Sequence, residues 1–347
     1  MPNYRCLVTT ILALGIVSLV GCGQTQTNET TESAQSSDSN VSENRLDVVV
    51  SIPPQKYFVE RIGGEYVNVT VMLPPGASPA TYEPKPQQLQ NLADAEAYAR
   101  IQVPFENAWW ERIRSGNPEM KVVDLTEGVN RMPMAAEHSH PGEEHHHHSD
   151  ADEHQHDQEA SSQTETVANP DPHIWLSPPL VKEQAQTIYA ALVELDPSRQ
   201  QIYQENLNAF IADLEQLDQD IQQTLSGVEN RTFMVFHPAW GYFARAYNLE
   251  MVPIEVGGNE PSAAEMSKLV SKAKADNIQV IFAQPQFSTR NAKTIANEIG
   301  GEVILLDPLA EDWMSNMSKV SNTFKDVMGD PTALLVVTPH LVAVISK

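Results

Sequence analysis

Three residues in separate parts of the chain have side chains that bind transition metals, and their predicted positions could bring them together. His237 directly follows the apolar run 232–236, and Asp307 directly follows the apolar run 303–306. Such runs are typical of buried strands, and groups at the carboxyl ends of parallel strands face the crevice where ligands bind. With His173, in the segment Asp-Pro-His-Ile-Trp, they form a set of two imidazoles and one carboxylate suited to a metal ion. Taken alone, either strand-end residue is more simply explained as a strand cap.

Eight of the 11 histidines lie in one acidic segment, residues 137–165. Imidazoles and carboxylates at this density, without apolar residues that could form a core, predict a loop that collects several metal ions weakly. A solvated polar loop without a binding role is the alternative. The histidines concerned are His138, His140, His145, His146, His147, His148, His154 and His156.

The N-terminus has the features of an export signal, which we place at residues 1–21. Arg5 precedes an uncharged run that is too short to span a bilayer as a mature helix. The run ends in Leu-Val-Gly-Cys, which resembles the cleavage site of bacterial lipoproteins, so Cys22 is expected to become the lipidated first residue. An ordinary secretory signal that contains a cysteine is the alternative. The other cysteine, Cys6, would leave with the signal, so no disulfide is expected.

Residues 22–46 are almost entirely polar and predict a flexible tether to the membrane. The formal net charge of −24 makes the chain a poor candidate for binding nucleic acid. The composition is 41% hydrophobic, which suffices for two domains with ordinary cores.

The fold class indicated by the remaining chain is α/β, with two lobes that each contain a mostly parallel sheet flanked by helices. Strand patterns alternate with helical patterns over residues 47–195 and again over residues 228–347. Within the second region, the apolar stretch 334–345 is broken by a proline and could be either a strand or a loosely docked tail.

One long rigid helix is expected to join the lobes over residues 196–227. It follows an Asp-Pro start signal, and its apolar residues recur at steps of three and four. These residues are Tyr203, Leu207, Phe210, Leu214, Leu217, Ile221 and Leu225.

Several motifs together resemble the metal-specific substrate-binding lipoproteins of bacterial ABC importers, and the zinc branch in particular. They are Leu-Pro-Pro-Gly-Ala-Ser-Pro at 73–79, Val-Pro-Phe-Glu-Asn at 103–107, Asp-Pro-His-Ile-Trp-Leu-Ser-Pro at 171–178, Phe-His-Pro-Ala-Trp-Gly-Tyr-Phe at 236–243 and Leu-Asp-Pro-Leu at 306–309. The resemblance implies two lobes around an ion-binding cleft, and His173, His237 and Asp307 as ligands. It also implies Zn²⁺ rather than Mn²⁺, because manganese receptors carry a carboxylate in place of His237.

The sequence departs from this family at Ala80, where the family has its first histidine ligand. A methyl group cannot bind a metal. The fourth coordination place is therefore expected to be filled by water, by a neighbour such as Glu83, or by an imidazole from segment 137–165.

The resemblance implies a monomeric, membrane-anchored lipoprotein, facing the periplasm or the cell surface, that passes its ion to an ABC-type permease and is not an enzyme. Two other functions stay open at this stage. A metal buffer or adhesin-like lipoprotein would share the fold. A zinc hydrolase could use three protein ligands and an open place, although no His-Glu-x-x-His motif or paired general base is present.

Overall fold

The computed structural model describes residues 45–135, 169–255 and 258–329. The predicted signal, nearly all of the predicted tether, the histidine-rich segment and the apolar stretch 334–345 lie outside the described residues. Within them, no helix has both the length and the apolar character needed to cross a bilayer.

The N-terminal lobe contains a four-stranded parallel sheet, as predicted. Its strands are β1 (Leu46–Val50), β2 (Val67–Val71), β3 (Ala97–Arg100) and β4 (Lys121–Asp124), in the order β2-β1-β3-β4. The helices between them are α1 (Pro53–Gly63), α2 (Pro86–Asn91) and α3 (Pro104–Gly116). Val48 of β1 pairs with Val69 on one side and with Ala97 on the other. The β-branched run at 48–50 is buried because helices cover both faces of such a sheet.

Two helices lie between the lobes, α4 (Pro178–Leu195) and α5 (Gln200–Leu225). The long helix was predicted, and each of its seven apolar residues is buried. Its 26 residues span about 39 Å. Helix α4 was not predicted, and it packs against α5, α1 and β4.

The C-terminal lobe repeats the topology of the first. Its strands are β5 (Thr232–Val235), β6 (Glu250–Pro253), β7 (Val280–Ala283) and β8 (Glu302–Leu305), all parallel and in the order β6-β5-β7-β8. Its helices are α6 (Gly241–Ala246), α7 (Ala263–Ala275), α8 (Arg290–Ile299) and α9 (Trp313–Gly329). The prediction of a second α/β lobe is therefore confirmed.

Helix α5 contacts both lobes along its length. Phe210 packs against Phe58 of α1 with ring centroids 6.1 Å apart, and Asp213 accepts a 2.6 Å hydrogen bond from Arg61 of the same helix. Further along, Asp218 accepts a 2.8 Å hydrogen bond from the hydroxyl of Tyr247 in the C-terminal lobe. These contacts fix α5 against helix α1 of the N-terminal lobe and against Tyr247 of the C-terminal lobe, as expected for a rigid connection.

Two tryptophans form a second set of contacts between the lobes. The indole of Trp175 donates to the carbonyl of Pro308 at 2.7 Å, and the indole of Trp313 donates to the carbonyl of Trp175 at 2.8 Å. Trp313 also meets Phe58 edge to face at 5.2 Å. These contacts hold the segment that carries His173 against the loop that follows β8.

Candidate metal centre

His173 lies just before a short 3₁₀ turn, Ile174–Leu176, and is almost completely buried. Its Nδ1 is 2.7 Å from Oδ1 of Asp171, and the same oxygen accepts the backbone N–H of His173 at 2.9 Å. Asp171 is itself buried. A carboxylate on Nδ1 favours the tautomer that protonates this nitrogen, so Nε2 keeps a free lone pair.

His237 follows β5 after one intervening residue, as predicted, and is held in the same manner. Its Nδ1 is 2.6 Å from Oε2 of Glu255, a buried residue that comes just after β6. The imidazole stacks on the ring of Phe287, with centroids 4.8 Å apart. Burial lowers the pKa of His237 below its ordinary value, and nearby His173 lowers it further, although the hydrogen bond to Glu255 opposes this shift. A neutral imidazole is the form that binds metals.

The structure brings the two imidazoles together. Their ring centroids are 5.2 Å apart with an interplanar angle of 71°, and both line a small cavity of about 40 Å³. A water molecule needs roughly 10–15 Å³ of such space, so the cavity can hold one ion together with a few water-sized groups. Most of its other walls are apolar, formed by Pro79, Ala80, Val103, Pro104, Met134, Pro172, Trp175, Phe287, Pro308 and Leu309, with Ser78 and Gln286 as the other polar residues.

Asp307 follows β8 after one residue, as predicted, but its carboxylate is not part of the cavity wall. Oδ1 of Asp307 accepts hydrogen bonds from Nε2 of Gln286 at 2.8 Å and from the backbone N–H of Leu309 at 2.9 Å. Gln286, the residue that donates to Asp307, does line the cavity. Over the described ranges, no three His, Cys, Asp or Glu side chains are grouped closely enough to hold a metal ion. The three-ligand assignment stays a prediction.

Ala80 lies in the cavity wall, at an exposed position. Glu83, a suggested substitute for the missing histidine, is exposed and is not one of the lining residues. The backbone therefore places residue 80 beside the two imidazoles without supplying a metal-binding atom there.

The described residues that flank the histidine-rich segment lie next to this cavity. Pro133 and Pro170 form an antiparallel bridge, and the backbone N–H of Met134 donates to the carbonyl of Asn169 at 2.9 Å. Met134 itself lines the cavity. The histidine-rich segment lies outside the described residues, and so does Cys22 near the N-terminus. Metal binding by the loop histidines and lipidation of Cys22 therefore stay predictions.

A buried carboxylate of the N-terminal lobe was missed by the sequence analysis. Glu106, in the first turn of α3, accepts hydrogen bonds from the Ser51 hydroxyl and from the backbone N–H groups of Ile101 and Gln102. Burial raises the pKa of Glu106 to about 7, against the opposing effect of these donors. Glu106 belongs to the motif Val-Pro-Phe-Glu-Asn at 103–107, which was noted for the resemblance alone, without a role for its carboxylate.

Asp171, Glu255 and Gln286 were also missed as site residues. Asp171 belongs to a motif that was noted for its histidine alone. Glu255 directly follows the apolar run 251–254, and that strand-end position was the available signal. Gln286 is the third residue after β7, where the sequence does not indicate the direction of its side chain.

The comparisons with known proteins identify the family to which the chain belongs. A family model described as zinc-uptake complex component A, periplasmic, matches residues 48–327. The high-affinity zinc uptake system protein ZnuA of Bacillus subtilis (strain 168) is 30% identical over 303 residues, which are 86% of this chain and 87% of that protein. The zinc-binding lipoprotein AdcA of Streptococcus pneumoniae (strain R6) is 26% identical over 300 residues, and the match spans only 55% of its length.

A solved structure gives the same answer at higher identity. The crystal structure of a ZnuA deletion mutant with zinc bound is 44% identical, with a TM-score of 0.72, and the match covers 83% of this chain and 99% of that one. The predicted family is therefore confirmed, and the chain belongs to the family of periplasmic zinc-uptake component A proteins.

Proposed function

We propose that this chain captures Zn²⁺ in the cavity between its lobes and delivers it to an ABC-type permease in the cytoplasmic membrane. The observation that carries the proposal is the pair of imidazoles of His173 and His237, 5.2 Å apart, each held through Nδ1 by a buried carboxylate. Carboxylate–histidine pairs of this kind orient the imidazole and raise its basicity towards a metal. The relatives named for zinc uptake support the same cargo.

The third ligand in this proposal is Asp307. Its Oδ1 is already occupied by two N–H donors, so the other oxygen, Oδ2, is the one available to an ion. Asp307 is linked to the cavity wall through Gln286, which donates to its Oδ1, and binding of the ion would draw Oδ2 into the cavity. Two imidazole nitrogens favour Zn²⁺ over Mn²⁺, which prefers oxygen ligands.

The size of the cavity argues against an enzyme. A space of about 40 Å³ between apolar walls has no room for an organic substrate beside a metal ion. Pockets that bind organic ligands typically measure about 300–1,000 Å³. A hydrolase would also need a general base near the metal-bound water, whereas Asp171 and Glu255 are both committed to histidine Nδ1 atoms.

Residues 137–165 serve in this proposal as an ion collector that passes Zn²⁺ to the cavity. The support is positional, because the bridge between Pro133 and Pro170 joins the chain on either side of the segment, and neighbouring Met134 belongs to the cavity wall. Ions bound by the imidazoles of the segment would then be transferred to the cavity.

The decisive experiment is a double substitution, His173→Ala with His237→Ala. Zinc binding is measured by competition with a chelator that holds free Zn²⁺ low enough to keep the weaker loop sites empty. We expect the tightest equivalent of Zn²⁺ to disappear while the loop still binds zinc weakly. Survival of that equivalent would show that the cavity is not the site.

Membrane attachment through Cys22 is the remaining part of the proposal. Replacing Cys22 by alanine should leave the zinc-binding domain folded, because residues 22–44 contain too few apolar groups to contribute to a core. Cell fractionation should then find the protein outside the membrane fraction. A Cys22→Ala protein that still sediments with membranes would contradict lipid anchoring at this residue.

A further inference from the structure

Gln286 has an amide group whose two ends face different surroundings. It lies in the loop between β7 and α8 and lines the cavity with His173 and His237. Its Nε2 donates to Oδ1 of Asp307 at 2.8 Å. An ionised carboxylate can only accept, so the amide nitrogen must face Asp307 and the amide oxygen must face away from it.

That oxygen is buried and unsatisfied. Oε1 of Gln286 accepts no hydrogen bond from any residue within the described ranges, and only a few such atoms occur among them. Buried acceptors without donors are rare in folded proteins and call for an explanation such as an ion. Here the atom belongs to a residue of the cavity wall, where a cation would be bound.

We propose that Oε1 of Gln286 is a ligand of the captured ion and fills the coordination place that Ala80 leaves without a protein ligand. The inference rests on the proposed function, since it names a further ligand of the same site. Asp307 then has two tasks, because its Oδ1 orients the amide while its Oδ2 binds the ion. The complete set is two nitrogens, from His173 and His237, and two oxygens, from Asp307 and Gln286.

The chemistry of this set has a consequence for selectivity. Amide and carboxylate oxygens are harder donors than imidazole nitrogen and are the donors that suit Mn²⁺. A site with two nitrogens and two oxygens therefore discriminates less strongly between Zn²⁺ and Mn²⁺ than one with three nitrogens. Removing the Gln286 oxygen should weaken binding of both ions.

The test compares three variants of the full chain by chelator competition with Zn²⁺. Gln286→Met keeps the length of the side chain and removes both amide ends, and it should raise the Kd of the tightest site by about tenfold or more. Gln286→Glu restores an oxygen ligand but cannot donate to Asp307, and it should bind more tightly than Gln286→Met. Gln279→Met, an exposed position at the other end of β7, is the matched control and should leave the Kd unchanged.

The Glu variant separates a ligand from a residue that only positions Asp307. If Gln286 acted solely as a donor to Asp307, Gln286→Glu would bind no better than Gln286→Met, and the proposal would be overturned. A zinc-loaded crystal structure should place Oε1 at roughly 2.0–2.2 Å from the ion. A separation above about 3 Å, beyond any coordination distance, would overturn it as well.

These outcomes are distinct from failure of the proposed function. If Gln286→Met binds Zn²⁺ normally while the double histidine variant loses the tightest site, zinc capture in the cavity is supported and ligation by Gln286 is refuted. If the double histidine variant binds Zn²⁺ normally, both zinc capture in the cavity and ligation by Gln286 are refuted.

Discussion

Introducing a histidine at position 80 tests whether the cavity is a metal site with an incomplete ligand set. Ala80 lines the cavity beside His173 and His237, and it lies at an exposed position from which an imidazole could reach inward. Ala80→His should therefore add a nitrogen ligand without displacing packed atoms. We expect tighter binding of Zn²⁺.

The size of the gain can be estimated from what the imidazole replaces. A contact to a charged group contributes about 1.5–3 kcal/mol, and immobilising the new side chain costs about 0.5–1.5 kcal/mol. The net of about 1–2 kcal/mol corresponds to a Kd lowered by roughly 5- to 30-fold. Ala80→His should lower the Kd for Zn²⁺ by a larger factor in the Gln286→Met background, because the amide oxygen that competes with the new imidazole for the fourth coordination place is absent.

The assay is a chelator-competition titration of four chains, with Ala or His at position 80 and residues 137–165 present or deleted. The gain should be largest without the loop, because its deletion removes the other imidazoles that could compete with residue 80 and leaves Gln286 as the competing ligand. Thr81→His is the matched control, since Thr81 is exposed and is not a lining residue of the cavity. Its Kd for Zn²⁺ should not change when the loop is absent.

Two results would refute the reasoning. Equal Kd values in all four chains would mean that residue 80 does not face the ion. An equal gain from Thr81→His would mean that any added imidazole near the cavity mouth suffices, so that the geometry inferred for residue 80 has no special role.

Two further predictions concern the stability of the metal-free fold. The raised pKa of Glu106, about 7, means that the folded state binds this proton more tightly than the unfolded state, so the free energy of unfolding should fall by about 2–3 kcal/mol as pH rises from 4.5 to 7.5. Glu106→Gln stays neutral and should flatten that part of the pH profile in denaturant titrations, whereas exposed Glu119→Gln should not; an unchanged slope in Glu106→Gln would contradict the assignment. Leu214→Ala removes a fully buried side chain from α5 and should lower the free energy of unfolding by about 2–5 kcal/mol. Exposed Gln219→Ala on the same helix should change it by less than about 0.5 kcal/mol, and similar losses in both variants would show that α5 is not packed as described.

The sequence by itself determined the regular elements that carry a clear periodicity. The two strands placed before the candidate ligands, 232–236 and 303–306, were expected within one residue of the observed bounds of β5 and β8, because short β-branched runs between helical patterns are typical of parallel strands buried on both faces. The seven apolar residues of α5 predicted its buried face for the same kind of reason. Helix α4 was missed. It packs on three neighbours, and its additional apolar residues, such as Leu180 and Tyr189, obscure a single apolar face.

The candidate ligands were predictable as residue types at strand ends, but their directions were decided only by the tertiary structure. His173 and His237 converge because buried carboxylates fix their Nδ1 atoms, from Asp171 in the same motif as His173 and from Glu255 in a segment separate from His237. Asp307 has an equivalent position after its strand, yet its carboxylate is turned towards the Gln286 amide and the Leu309 backbone. A strand places the Cα of the next residue, whereas the loop beyond it decides where the side chain finds its hydrogen bonds, and partners such as Glu255 and Gln286 come from other segments of the chain.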